Sequence, residues 1–434
     1  MTSTENSSTT IGVGVLGCGN VGGALVELLL ESGADIERRT GITFEIRRVA
    51  VRSPSKDRSV EIPDHLITDD ALAVVSDPTV DVVVELMGGI EPARGLIAKA
   101  LELKKPVVTA NKELMANVGA ELTEIAARQG VDLLYEAAVG GGIPVIRPLR
   151  ESLAGEHITR VMGIVNGTTN YILTRMTEDG VGYAAALAEA QGRGYAERDP
   201  TADVEGFDAA AKAAIVANVA FGARVVAGDV YSEGISSVTQ EDIQLAKRLG
   251  FVVKLLAVIE RGPKDNVGVR VHPTMVPLDH PLANVRLSFN ALFVEGETVG
   301  QLMFYGRGAG GAPTASAVLG DLIDAAHNRI EGSHGRIPRL NGGDIWPIDQ
   351  QSSPFYVTMD VSDQPGVLAA VAGIFGKQNV SIRSMEQTVS NDQARLIFIT
   401  HRALERDLRA TLHDLRGLPE VRRIGNVLRV MESA

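Results

Sequence analysis

The sequence predicts an α/β protein in three parts: an N-terminal doubly wound parallel sheet, an α+β middle domain and a ferredoxin-like C-terminal unit. Three observations carry that prediction. The β-branched run Ile11–Leu16 meets a GxGxxG turn and then a helical pattern over 24–30. Strand-like runs then alternate with helical patterns, the order expected of a parallel sheet. After a stretch rich in Gly, Pro and polar residues at 331–353, the order becomes βαββαβ. Length agrees, because 434 residues exceed one ordinary core when domains run to ~100–200 residues. The expected boundaries are 11–138 for the nucleotide domain, 139–330 for a catalytic and dimerisation domain, 331–353 for a linker and 354–434 for the last domain.

The first turn reads Leu16, Gly17, Cys18, Gly19, Asn20, Val21, Gly22. Gly17 permits the tight turn, Gly19 lets a pyrophosphate approach the backbone, and Gly22 lets the helix pack closely on the strand. The helix N-terminus supplies N–H donors and a positive dipole end. This is a Rossmann-type arrangement. The next strand, over 45–51, ends at Arg52, where sites for NAD usually place an acid; Arg52, with Lys56 close behind, favours the 2′-phosphate of NADP, with NAD possible. Both cations also read as ordinary loop residues.

Strands over 80–86 and 106–110 follow, and ligands of such sheets sit at the carboxyl ends of the strands. The loops with Met87–Gly89 and with Asn111 and Lys112 are therefore expected to face the crevice. After Tyr135, the run EAAVGGGIPVIRPLR stops any regular helix; its carbonyls could coordinate a hard cation, and a domain-crossing linker is as economical. A strand is expected over 161–165, with NGTTN at 166–170 as a polar turn into a helix. Gly306, Gly308, Gly310 and Gly311 form a second glycine-rich turn.

The run GYAERDPTADVEGFDAAAK, residues 194–212, gathers acids ahead of one lysine. Lys212 stands in AAAKAAIVA with no polar stripe to join. Burial lowers a lysine pKa and an adjacent carboxylate raises it again. Asp208, four residues earlier, shares its helix face, so the pair could hold a proton donor and acceptor in place. The plainer reading is a surface ion pair worth about a few tenths of a kcal/mol.

A net charge of −12 and a pI near 5.3 argue against a nucleic-acid surface. A single cysteine, Cys18, excludes an internal disulfide, no Cys/His cluster has zinc-ligand spacing, and a reducing compartment fits. The start MTSTENSSTT has neither a basic region nor an apolar core and reads as a disordered tail. No charge-free apolar run reaches the ~18 residues of a membrane span, so a cytoplasmic protein is expected.

Taken together, GVLGCGNVGG, TANKELMA at 109–116, GGGIPVI, NGTTNYIL at 166–173 and the 194–212 run resemble the homoserine dehydrogenases of the longer type, which carry a C-terminal ACT domain. The resemblance covers nearly the whole chain, with no departure at the acidic and lysine positions of the last motif. It implies reversible NAD(P)-dependent interconversion of L-homoserine and L-aspartate 4-semialdehyde. By that resemblance Lys212 is the proton donor and acceptor and Asp208 orients it. Glu197 and Asp203 hold the substrate ammonium and hydroxyl region, and Lys112 lines the cleft. Gly308 joins the cofactor contacts. A monovalent cation, sodium in the family, would rest on backbone oxygens of Glu136, Val139, Gly141 and Ile143. DQPGVL at 363–368 and NVSI at 379–382 match the ACT ligand loops and imply L-threonine as effector and a homodimer or homotetramer. A pairing domain without ligand is the alternative there. For the whole chain the rivals are a non-catalytic NADP-binding amino-acid sensor and another NADP-linked amino-acid dehydrogenase.

Overall fold

The computed structural model describes residues 8–56, 58, 60–337, 339–340, 343–390 and 393–432. In chain order the elements are β1 (Thr9–Leu16), α1 (Asn20–Thr40), β2 (Ile42–Ala50), β3 (Ile67–Thr68), α2 (Ala71–Ser76), β4 (Val82–Glu85), α3 (Ala93–Glu102), β5 (Val107–Thr109), α4 (Lys112–Gln129) and β6 (Leu133–Leu134). Then come β7 (Ile158–Ile164), α5 (Gly167–Asp179), α6 (Tyr183–Gly192), α7 (Thr201–Val204), α8 (Phe207–Phe221), β8 (Tyr231–Ser232), α9 (Gln240–Arg248), β9 (Phe251–Arg261), β10 (Val267–Pro277), β11 (Phe289–Gly296), β12 (Gly300–Arg307) and α10 (Gly311–Glu331). The chain ends with β13 (Ser352–Ser353), β14 (Phe355–Ser362), α11 (Val367–Lys377), β15 (Ile382–Ser390), β16 (Gln393–Thr400), β17 (Ala403–Leu404), α12 (Glu405–Arg416) and β18 (Val421–Val430).

These elements form two compact units, one of residues 1–158, 214–229 and 296–343, the other of 159–213, 230–295 and 344–434. The segment expected at 139–330 thus supplies both. In the first unit the sheet order is β3-β2-β1-β4-β5-β6, with every pair parallel. That is the doubly wound order, with its switch point between β1 and β4. Buried Val13, Val15, Val82, Val84 and Val108 pack with Leu25 and Leu29 of α1 and with Ala315, Val318, Leu322 and Ala325 of α10. Helical periodicity shows that α10 has an apolar face, but not which sheet that face covers. The expected N-terminal tail is shorter than read: residues 1–7 lie outside the described residues, whereas Thr9 and Thr10 open β1 opposite Ile42 and Thr43.

In the second unit the sheet runs β11-β7-β9-β10-β18-β14-β16-β15. Its last four strands with α11 and α12 form the ferredoxin-like unit, all antiparallel, around Phe355, Val357, Phe375 and Phe398. The final strand serves two partners. β18 pairs antiparallel with β14 and also parallel with β10, through Thr274↔Arg429 and Met275↔Val430. The end of the expected linker is likewise ordered, since Val267 N donates to Asp344 O and Trp346 N donates to Val267 O.

Lys254 of β9 is only 2% exposed and donates to Asn170 Oδ1 at 3.1 Å and to the Val285 carbonyl at 2.5 Å. Asn170 donates in turn to the carbonyls of Val285, Leu287 and Phe289, so the start of α5 is fastened to the 285–289 turn. Burial pulls the Lys254 ammonium down from 10.5 to about 8, with Glu178 opposing and Arg286 adding to the shift. Because the folded pKa is depressed, the unfolded chain binds more protons between those values, so stability rises with pH across that window. Lys254→Met is expected to remove that rise. Denaturant titrations of both proteins at pH 7.5 and 10 should show the wild type gaining up to roughly 3 kcal/mol relative to the variant.

Candidate active site

At the carboxyl end of β1 the three glycines do different work. Gly17 holds φ 97°, and a Cβ there would lie 2.7 Å from Leu86 O. A Cβ on Gly22 would lie 2.3 Å from Gly17 O, whereas one on Gly19 would meet nothing within 4 Å. Gly22 is therefore needed for packing and Gly19 for open space above the backbone. No side chain caps α1 and no acid stands in its first turn, so its N-terminal amides and dipole are left for an anion beside Asn20 and Val21. Leu16 is fully buried, with its carbonyl accepting from Leu86 N, and shapes the loop from beneath. Gly22→Ala is expected to cost about 2 kcal/mol or more of stability by forcing the turn apart. Gly19→Ala should leave the apo-protein melting point unchanged and weaken NADPH binding; thermal melts and fluorescence titration separate the two.

Leu16 pairs with Ala50, so the chain leaving β2 passes beside this loop with Arg52 and Lys56 both exposed. A third cation, Arg58, donates to the carbonyls of Ser53, Pro54 and Lys56 and gathers the loop around itself. It also acts on Cys18, whose thiol is pushed up by burial and drawn partly back by this guanidinium. The second glycine-rich turn joins the same region. A Cβ on Gly311, at the start of α10, would sit 3.0 Å from Asn20 O, and Gly310 holds φ 122°. Only the fold brings Gly306–Gly311 to the first loop.

At the ends of β4 and β5, fully buried Glu85 accepts from Met87 N at 2.8 Å, Gly88 N at 3.3 Å and Thr109 Oγ1 at 2.6 Å. Asn111 caps α4 through Leu114 N and donates to Gly89 O at 2.6 Å. Lys112 then opens α4 with an exposed side chain. Glu85 was not among the expected site residues, although an acid closing the run VDVVVE was a local signal.

The 136–147 loop is built around Glu136, which is 5% exposed and accepts from the backbone N–H groups of Val145, Ile146 and Arg147. Its carboxylate is thus committed to the chain, leaving only carbonyl oxygens as donors for a cation. Gly140 and Gly141 take φ 74° and 56°, and a Cβ on Gly141 would lie 2.5 Å from Gly308 O. Val139 and Ile143 are buried beside them. Backbone carbonyls are the donor type a hard cation takes. Among the described residues no group of three His, Cys, Asp or Glu side chains could hold a metal.

In the second unit, Lys212 of α8 is not a surface residue: its side chain is 11% exposed and that of Asp208 is 5%. Its Nζ donates to Asp208 Oδ2 at 2.7 Å and to the Val165 carbonyl at 2.7 Å. The surface ion pair is thereby excluded. Beside them stands Asn166, 4% exposed, which sequence reasoning passed over. Its Nδ2 donates to Asp203 Oδ1 at 2.7 Å and to Asp208 Oδ2 at 2.8 Å, while its Oδ1 accepts from Thr169 N at 2.8 Å and caps α5. Both amide protons are used on carboxylates, so the amide cannot be turned round without setting oxygen against oxygen. Lys212, Asp208, Asn166 and Asp203 are one cluster. Glu197 is exposed, in the turn that Gln191 holds through the Glu197 and Arg198 carbonyls.

A dinucleotide loop on a doubly wound sheet belongs with an oxidoreductase that moves hydride with a nicotinamide cofactor, and a buried lysine–carboxylate pair is chemically suited to handling a proton. Residues 17–136 match the NAD-binding domain of homoserine dehydrogenase, 144–323 match homoserine dehydrogenase itself and 355–420 match the ACT domain. The chain is 49% identical over 433 residues to the homoserine dehydrogenase of Corynebacterium glutamicum, covering 98% of this chain and 97% of that one. It belongs to the homoserine dehydrogenase family. The crystal structure of a homoserine dehydrogenase from Thiobacillus denitrificans superposes with a TM-score of 0.92 at 39% identity, covering 98% of this chain and 99% of that one. A hyperthermophilic archaeal homoserine dehydrogenase in complex with NADPH gives a TM-score of 0.63 at 28% identity over 74% of this chain and 98% of its own. No helix among the described residues is long and apolar enough to cross a membrane.

Proposed function

We propose that the chain reduces L-aspartate 4-semialdehyde to L-homoserine, reversibly, with Lys212 as the proton donor and acceptor at the substrate oxygen. The observation that carries this assignment is the buried Lys212–Asp208–Asn166 cluster. A bound nicotinamide supplies the hydride. In the direction of reduction the Lys212 ammonium gives its proton to the oxygen as the carbonyl becomes an alcohol, stabilising the charge that develops there. In the reverse direction the neutral amine takes it back. Asp208 and the Val165 carbonyl hold Nζ in place. Asp203, and Glu197 from its exposed turn, are assigned to the substrate ammonium, as acids suit an amino acid. Lys112 is assigned to substrate by family resemblance.

NADP is the preferred cofactor in this reading, because Arg52 and Lys56 follow β2 where an NAD site would place an acid. The pyrophosphate rests on the amides after Gly19. A sodium-like cation sits on the carbonyls of Glu136, Val139, Gly141 and Ile143 in a structural role. The C-terminal domain pairs with a second copy and takes L-threonine at Asp363–Leu368; β15 ends the sheet with Met385 40% and Val389 52% exposed. Threonine alters the rate only if the two states of the enzyme differ in affinity for it.

The test is the initial rate of NADP reduction after L-homoserine is added to the purified protein in sodium- or potassium-containing buffer, with NAD in parallel. Turnover faster with NADP supports the reading, and none with either cofactor while NADPH still binds overturns it.

A further inference from the structure

Between the active-site cluster and the last strand lies a short bracket, Tyr231–Ile235, fastened on both sides. Towards the site, Ser232 Oγ donates to Glu205 O at 3.1 Å and Ile235 N donates to Val204 O at 2.8 Å. The backbones there are in near contact. A Cβ on Gly234 would lie 2.3 Å from Val204 O, and one on Gly206 would lie 2.8 Å from Ser232 Oγ. Neither segment of this contact can shift without moving the other, and the residue before Val204 is Asp203, bonded to Asn166.

On the other side, Glu233 N is tied to Val271 O, and the Glu233 carboxylate receives both Nη groups of Arg429 at 3.0 Å. Arg429 belongs to β18 and is 5% exposed. Its Nε donates to Glu405 at the start of α12, and its guanidinium lies 5.4 Å from the Tyr231 ring and 6.0 Å from that of Phe355. A fork held by two carboxylates and two rings has little freedom, so it transmits position as well as charge.

We propose that Arg429, carried by the regulatory module's last strand, is a positioning residue for Asp203, acting through Glu233 and the Ser232–Ile235 bracket. The kinetic part of this inference rests on the assignment of Asp203 to substrate made above. It gives the C-terminal module a mechanical hold on the substrate acid, independent of any effector.

The experiment compares full-length wild type with Glu233→Gln, Arg429→Lys and Asp203→Asn. Glu233→Gln keeps the shape but loses the charge and turns one of the two oxygens that accept from the fork into an NH2 donor; Arg429→Lys keeps the charge and loses the fork. Hydrogen exchange at the Ile235 amide is expected to quicken about tenfold in Glu233→Gln and less in Arg429→Lys. The KM for homoserine should rise about tenfold in Glu233→Gln, with the KM for NADP unchanged. Ile235 exchange at the wild-type rate, or a KM rise shared equally by both substrates, overturns the proposal. If Asp203→Asn leaves the homoserine KM unchanged, the assignment of Asp203 has failed instead. The bracket is then judged by Ile235 exchange alone, quickened exchange supporting it and unchanged exchange overturning it.

Discussion

Lys212→Ala is expected to lose about a thousandfold or more in kcat while binding NADPH as the wild type does. General acid–base catalysis by a positioned side chain contributes typically ~10²–10⁴ in rate, and the Lys212 ammonium is held at 2.7 Å from Asp208 within the Asp208–Asn166–Asp203 cluster. The glycine loop of β1 belongs to the other unit, so cofactor affinity should not follow. Substitution also removes the ion pair that Lys212 makes with the 5% exposed Asp208 side chain. Some stability, about 1–3 kcal/mol, should go with it. Lys212→Met keeps the aliphatic stem and isolates the loss of the amine. Stopped-flow rates and a fluorescence titration decide the matter, and turnover within tenfold of wild type in both variants would remove Lys212 from the mechanism.

The second large effect is expected at Asn166, where one side chain performs two tasks that substitution can separate. Serine is as good an N-cap as asparagine, but it cannot give two protons to two carboxylates. Asn166→Ser should therefore keep the melting point within a few degrees and lose about 10–100-fold in kcat/KM, the scale of hydrogen bonds to charged groups. Asn166→Ala should show the same catalytic loss and, in addition, cost about 1 kcal/mol of stability as the cap on α5 disappears. Equal stability of the two variants, or full activity in the serine variant, would contradict the double role. Measurement of kcat/KM beside chemical denaturation answers both questions.

What the sequence made legible follows the range of each interaction. Lys212 and Asp208 were visible because they are four residues apart on one helix and their neighbours are apolar. Gly17, Gly19 and Gly22 were visible for the same reason, each role being set within one strand–turn–helix unit. Asn166 was read as part of a polar turn, because its two carboxylate partners lie 37 and 42 residues away and no periodicity connects them. Gly311 and Asn20 meet only after the sheet has formed. Thr9 and Thr10 were assigned to a tail because polar residues at a strand's start need their parallel partner, here Ile42 and Thr43, to be recognised. Glu85 is the exception: an acid closing a valine-rich strand was in plain view, and its buried bonds to the 87–89 loop explain it.

The double pairing of β18 has a consequence for the order in which the protein can be completed. β10 is buried along its whole length, yet its partners on one edge are the two-residue β8 and β18, a strand synthesised long after it. Until Arg429 and Val430 have been synthesised, Thr274 and Met275 have no strand beside them on that edge. A nascent chain in that state presents an open, apolar strand edge of the kind that recruits chaperones or pairs with a neighbour. A chain that stops before Arg429 would leave that edge open for good.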